Sequence, residues 1–149
     1  MGILMQHLDT GRIIFYLKGA ETVMKEKVKP NQRVVIDEAC DNLANEGLRT
    51  LVISQKSISP EYYEEWNRRH EAAKADLNHR EARVRACIDE LEENMELLGV
   101  TGVEDKLQEN VAVVIESLRN AGIQVWMLTG DKVETATCIA ISAGFKRRT

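Results

Sequence analysis

The rhythm of apolar and polar positions changes along the chain, and each change marks an element. Two β-prone runs open it, Ile3 to Leu8 and Arg12 to Leu17, joined through Asp9-Thr10-Gly11. Asp and Gly there supply the turn chemistry of a tight hairpin. The second run ends at Lys18-Gly19-Ala20, where Gly19 permits a backbone turn that a larger residue resists. Pro30 and Asn31 signal the start of a helix over about Gln32 to Asn45, with Val35, Ala39 and Leu43 as its apolar stripe and Gly47 as its stop. Leu48 to Ser54 then has the length and β-branched content of a strand.

From Ser59-Pro60 the period lengthens. Tyr62, Trp66, Ala73, Leu77, Val84, Ile88, Leu91 and Met95 recur at helical steps, which predicts one long charged helix or a pair broken near Asn78. The charged face reads as solvated surface, and a coiled-coil partner is the sharper alternative. In the last third, Leu97 to Val100 is a strand candidate and Lys106 to Ala121 a helix. Asp105 and Gln108 have cap-to-N3 spacing there, Leu107, Val111, Val114 and Leu118 form its stripe, and Gly122 ends it. Ile123 to Leu128 is nearly continuous in apolar residues, as a strand buried on both faces would be. A last helix is expected from Val133 to Ala143, stopped by Gly144. Strand, helix, strand, helix in this order is half of a parallel α/β sheet.

Composition narrows the function classes. A formal net charge of −4 argues against a nucleic-acid surface, since that needs a basic excess on one face. Lys146, Arg147 and Arg148 make a basic tip too short to change this. No apolar run approaches the roughly 18 residues of a membrane span, and Met1 to Thr10 lacks the pattern of a signal peptide. Cys40, Cys87 and Cys138 stand far apart and outside any CxxC spacing, as thiols of a reducing compartment do. His7, His70 and His79 show no ligand spacing, so no structural metal is expected.

The strongest chemical signal is Met127-Leu128-Thr129-Gly130-Asp131-Lys132. A strand ending, a glycine turn and a helix start follow one another, and this end of an α/β sheet is where ligands bind. Backbone N–H groups beside a Thr hydroxyl suit a phosphoryl oxygen. Asp131 and Glu134 also have capping-box spacing, which would satisfy the same N–H groups without a ligand. On spacing alone the two readings stand level.

The stretch Leu128-Thr129-Gly130-Asp131-Lys132-Val133-Glu134-Thr135-Ala136 resembles the TGDK-x-ETA segment of P-type ATPases. Three further blocks resemble that family in order and distance. Phe15 to Ala20 is similar to its KGA nucleotide-binding motif, and Glu46-Gly47-Leu48-Arg49-Thr50-Leu51 to its EGLR block. Leu98 to Gln108, with Glu104-Asp105-Lys106-Leu107-Gln108, resembles the hinge of the type IV P-type ATPases, the phospholipid flippases. The resemblance spans nearly the whole chain.

It implies a division of labour. Lys18 and Gly19 would lie in the nucleotide pocket, Arg49 would reach the ATP phosphates, and Asp105 would sit at the hinge near the ribose. Thr129 would hold the phosphoryl group, Gly130 would offer a close N–H, and Asp131 would position the phosphate region. Lysine and arginine suit polyphosphate charge, and arginine can meet it bidentately. The family's DKTGT nucleophile motif, its GDGxND magnesium segment and its membrane helices are not in the sequence. The 149-residue chain is therefore expected to form no phosphoenzyme by itself. ATP and Mg²⁺ are the implied cofactors, with the Mg²⁺ ligands largely elsewhere. A phospholipid is the implied substrate of the whole protein, and the cytosolic face of a membrane protein the implied location.

The expected architecture is α/β in two parts. Residues 1–94 would be the later portion of a mixed nucleotide-binding domain. Residues 95–149 would be half of a Rossmann-like sheet of haloacid dehalogenase type, with an open edge that invites dimerisation. Two rivals stand beside this reading. A free-standing haloacid dehalogenase-type phosphatase would need a DxD loop, which does not occur, and a helix-mediated interaction module would leave the ordered motifs unexplained.

Overall fold

Strict alternation governs the first sheet. In the computed structural model, which describes residues 1–104 and 106–145, β1 (Gly2–Gln6) and β2 (Ile13–Gly19) form the expected hairpin. Gln6 pairs with Ile13 and Gly2 with Leu17, and Gly11 turns the chain at φ +67°. Ile13, Phe15 and Leu17 point inward, while Ile14 and Tyr16 are half-buried on the other face. β3 (Arg49–Ile58) lies antiparallel on β2 from Ile13↔Ile58 to Gly19↔Val52, and β4 (Glu96–Val103) completes the order β1-β2-β3-β4. The mixed α/β class is as the sequence implies.

The described chain divides into two compact units. One comprises Met1–Ile36 and Leu51–Val100, the other Asp37–Thr50 and the described residues from Thr101 onward. In the first unit α1 (Glu21–Lys27) follows β2, an element the sequence reading missed because seven residues carry too little periodicity to register. It buries Met24, and the strand-like residues after it clamp Met95: Met95 N donates to Lys27 O at 2.9 Å and Lys29 N to Met95 O at 3.0 Å. Met95 is fully buried, worth roughly 1.5–3 kcal/mol of apolar transfer.

The long helical pattern resolves into α3 (Pro60–Ala75) and α4 (Arg80–Leu91), broken where the sequence suggested. Asp76 makes the break, its Oδ1 accepting from the N–H groups of Asn78 and His79 at 2.9 and 3.0 Å. Ser59 caps α3 by accepting from Tyr62 N at 3.2 Å, with Pro60 in the first turn where its missing N–H costs nothing. The stripe of α3 faces α4. Trp66 Nε1 donates to Cys87 O at 2.8 Å, Tyr62 Oη to Glu90 Oε1 at 2.7 Å, and Arg69 grips both Glu90 oxygens at 2.7 and 2.8 Å. Leu77 and Ile88 depart from the expected stripe, Leu77 being 97% exposed, because the break turns it outward. Below α4, the Lys56 ammonium donates to the carbonyls of Glu90, Leu91 and Glu93 at 3.0–3.3 Å, neutralising the helix's negative end.

A single 3-10 turn (Pro30–Gln32) leads into α2 (Arg33–Asn45), which runs from the first unit into the second. Its inward positions are Ile36, Cys40 and Ala44, so Val35 is exposed and the expected stripe lies one residue out of phase. A one-residue error rotates the predicted face by about 100°. In the second unit α5 (Val111–Asn120) begins later than expected. Asn110 at φ +63° interrupts the helical backbone, so Gln108 makes no capping box, while the Asp105 half of that expectation lies outside the described residues. Ala112 and Arg119 meet Gly144 and Phe145 just past α6 (Val133–Ser142), and Ile115 between them is buried. The positions Leu107 and Val114 of the expected stripe are exposed.

Ile123 to Leu128 is the largest departure. The run forms no strand, with Ile123, Trp126 and Leu128 at 50%, 80% and 95% exposure. A parallel strand takes its hydrogen bonds from neighbours, and among the described residues none pairs with this one.

Glu90 gives the first test. Hydrogen bonds from Arg69 and then from Tyr62 hold its carboxyl down at about 2, against an ordinary 4.5, while burial and then the bond to Glu90 push the Tyr62 phenol up to about 12. A depressed folded-state value means that the contribution is complete above about pH 4.5 and is lost as pH falls toward 2. Glu90→Gln should cost about 1 kcal/mol at pH 7, the pair being partly exposed, and should flatten the acid limb of stability. Urea melts of both chains from pH 7 to pH 2 measure this. An equal acid slope in the variant would refute it.

Candidate functional site

The second unit builds its polar cluster from two stretches far apart in the chain, around Asp41 to Arg49 and around Thr129 to Cys138. α2 ends in a left-handed turn: Gly47 has φ +83°, its N–H donates to Ala44 O at 2.9 Å, and Leu48 N donates to Leu43 O at 3.0 Å. A Cβ at Gly47 would stand 2.9 Å from Cys138 Cβ, so α6 approaches the turn as closely as a glycine permits. β3 leaves directly from this turn and carries Arg49 at its first position.

Arg49 Nη2 donates to Asp131 Oδ2 at 3.1 Å. Thr129 Oγ1 donates to the same oxygen at 2.8 Å and accepts from Asp131 N at 3.1 Å. Thr129 first, and Arg49 after it, hold the Asp131 carboxyl below the usual aspartate range. Gly130 lies between them with open space where a side chain would be. Next along the chain, Lys132 Nζ donates to Asp41 Oδ1 at 2.6 Å, tying α2 to the start of α6.

Of the two readings left open by spacing, the capping box does not form. Lys132, not Asp131, is the N-cap residue of α6, and its side chain makes no capping hydrogen bond. The Asp131–Glu134 capping box does not form because Asp131 is already engaged by Thr129 and Arg49. The first-turn N–H groups of α6 therefore lie beside a hydroxyl, a carboxylate and a guanidinium.

Of the residues expected to share a function, Arg49, Thr129, Gly130 and Asp131 come together. Lys18 and Gly19 end β2 in the first unit. The Lys18 side chain is exposed, its carbonyl accepts from the N-terminal amine at 2.8 Å, and a Cβ at Gly19 would meet Met24 at 3.3 Å. Asp105 lies outside the described residues. Sequence reasoning missed Asp41, which nothing local distinguishes from any other helical carboxylate. It also missed Thr135, whose Oγ1 donates to Leu48 O at 3.2 Å. Among the described residues no three His, Cys, Asp or Glu are grouped to hold a metal ion, and no helix is long and apolar enough to cross a membrane.

Known proteins show what this chain is similar to. The profile of the haloacid dehalogenase-like hydrolase family matches residues 21–148. The chain belongs to that family. Within it, the chain is 50% identical over 143 residues to the probable phospholipid-transporting ATPase IIB of Danio rerio, covering 96% of this chain and 12% of that protein. It is 47% identical over 149 residues to the human protein of the same name, covering all of this chain and 13% of that one. Phospholipid-transporting ATPase neo1 of Schizosaccharomyces pombe is 52% identical over 145 residues, with 96% and 14% covered. The chain thus spans about an eighth of the length of the curated relatives it matches. These relatives, phospholipid-transporting ATPases by name, bear out the resemblance to phospholipid-transporting P-type ATPases that the motifs carry.

The carboxylate of this haloacid dehalogenase-like chain supplies a second test. The Asp131 carboxyl followed by carbon NMR should titrate below an ordinary aspartate. Thr129→Val should raise the midpoint more than Arg49→Ala, Thr129 being the larger cause. Asp131→Asn should change stability by less than about 1 kcal/mol, because the ion pair is solvent-exposed. A midpoint indifferent to both substitutions would show that the cluster does not persist in solution.

Proposed function

We propose that the chain is the ATP-handling part of a phospholipid-transporting P-type ATPase, acting at the cytosolic face of a membrane. The observation that carries this is the convergence of Arg49, Thr129 and Asp131 at the start of α6. A guanidinium, a hydroxyl and a helix N-terminus are the donors that a phosphoryl group requires. Residues 1–94 are read as the nucleotide-binding portion and residues 95–149 as the returning phosphorylation portion.

In this reading Lys18 and Gly19 serve nucleotide recognition, Arg49 meets the phosphates and Asp105 lies at the hinge. Thr129 and the N–H of Gly130 hold phosphoryl oxygens, and Asp131 orients Thr129. ATP supplies the group that is transferred. Arg49 is fitted to this role because guanidinium carries donors in a fixed fork, and a phosphate can take what a carboxylate now receives. Among the described residues no three His, Cys, Asp or Glu are grouped to hold a metal ion, and this reading leaves the Mg²⁺ ligands to the rest of the whole protein. The phospholipid substrate likewise belongs to the whole protein. The exposed apolar run at Ile123, Trp126 and Leu128 is the surface through which this reading has the chain self-associate.

Titration of the labelled 149-residue chain with ATP tests the reading. Signals of Lys18, Gly19, Arg49 and Thr129 to Asp131 should move, and Lys18→Ala should weaken binding by up to about 1.5–3 kcal/mol, less with exposure. In the full-length ATPase, Asp131→Asn should lower turnover by on the order of 10²-fold with an unchanged melting temperature, and Thr129→Ser should retain most of it. ATP that moves none of these signals, or full turnover in Asp131→Asn, would overturn the assignment.

A further inference from the structure

α6 does more than present its N-terminus. Thr135, one turn in, is 3% exposed, and its hydroxyl donates to the carbonyl of Leu48 at 3.2 Å. That carbonyl belongs to the peptide whose nitrogen is Arg49's own. One turn further on, the Cys138 side chain stands against Gly47, and its Sγ lies 3.5 Å from Asn45 O. Residues 45, 47 and 48 are thus fixed by α6 immediately before the chain emerges as Arg49. A buried Thr could have been filled by Val at equal volume, so the hydroxyl is the informative atom.

We propose that Thr135 is a positioning residue: by holding the Leu48 carbonyl it sets the peptide from which the Arg49 guanidinium reaches Asp131 and, in the function proposed above on which this inference rests, the nucleotide phosphates. Thr135 touches neither reacting atoms nor ligand. It acts through Arg49, and Cys138 against Gly47 limits how far the same turn can shift. The helix that offers its N–H groups to a phosphoryl oxygen thereby also sets the place of the arginine beside it. Both halves of the cluster are indexed to one rigid element.

Thr135→Val removes the donor and keeps the shape, while Thr135→Ser keeps the donor. In the 149-residue chain, Thr135→Val should shift the Asp131 titration toward that of an ordinary aspartate and weaken ATP binding about two- to ten-fold, the worth of one ordinary hydrogen bond. Thr135→Ser should match the unaltered chain in both readouts. In an Arg49→Ala background, Thr135→Val should change neither further. An unchanged titration in Thr135→Val, or an equal shift with and without Arg49, overturns the proposal by reducing Thr135 to a packing role. Should the valine variant not fold by circular dichroism, Thr135→Ser decides: a shifted titration there shows that the methyl, not the hydroxyl, matters. ATP that moves no signal at Arg49 overturns the nucleotide reading instead, and the titration arm still judges Thr135.

Discussion

A side chain at position 47 would stand 2.9 Å from the Cys138 side chain, on a backbone at φ +83° that favours glycine. Both constraints fall on one residue, and the second unit is organised around it. The left-handed turn ends α2, reverses the chain into β3, and leaves α6 near enough for Thr135 and Cys138 to reach the carbonyls of Leu48 and Asn45. With a larger residue α6 would have to back away, and the Arg49–Asp131 pair, which spans 3.1 Å, would lose its register. Lys132 on Asp41 reinforces the same approach from the other side of the turn. That contact is solvent-exposed and contributes little stability on its own. Its weight is geometric.

Elements with local causes were legible in the sequence. Gly11 and Gly47 announced their turns, Ser59-Pro60 a helix start, and the polar interval around Asn78 the break between α3 and α4. Each is a matter of a few adjacent residues. Errors fell where the deciding partner is distant. The α2 stripe was placed on Val35 instead of Ile36, because several apolar residues lie side by side and only packing selects among them. Ile123 to Leu128 has the composition of a buried parallel strand, but composition supplies neither the neighbouring strand nor its hydrogen bonds. Asn110 cut α5 short by adopting a left-handed conformation that asparagine tolerates without advertising it.

The candidate site shows the same division. Thr129, Gly130, Asp131 and Arg49 were singled out through motif resemblance, and the structure brings them together across 82 residues of sequence. The capping box, derived from spacing, was the part that failed. Spacing records which groups can meet along a helix, not which competitor has already taken them. Thr135 and Asp41 were invisible for a related reason, since their partners lie 87 and 91 residues away.

The two carboxylates that anchor the units differ in a way that bears on function. Glu90 receives Arg69 on both oxygens and Tyr62 as well, so its bonding capacity serves the α3–α4 pairing. Asp131 receives Thr129 and Arg49 on one oxygen, Oδ2. Two donors sharing an oxygen compete for it, and a bidentate guanidinium–carboxylate fork holds its geometry better than a single contact. Arg49 is half-exposed and set at the end of a strand instead of within a helix pair, so solvent weakens its hold on Asp131 and eases exchange. A structural clamp should be saturated, as at Glu90. Under the function proposed above, a carboxylate that gives up its arginine to a phosphate is better served by one shared contact than by a saturated fork. In the second unit Thr135 holds the Leu48 carbonyl just before Arg49, and Asp131 meets the guanidinium through one oxygen.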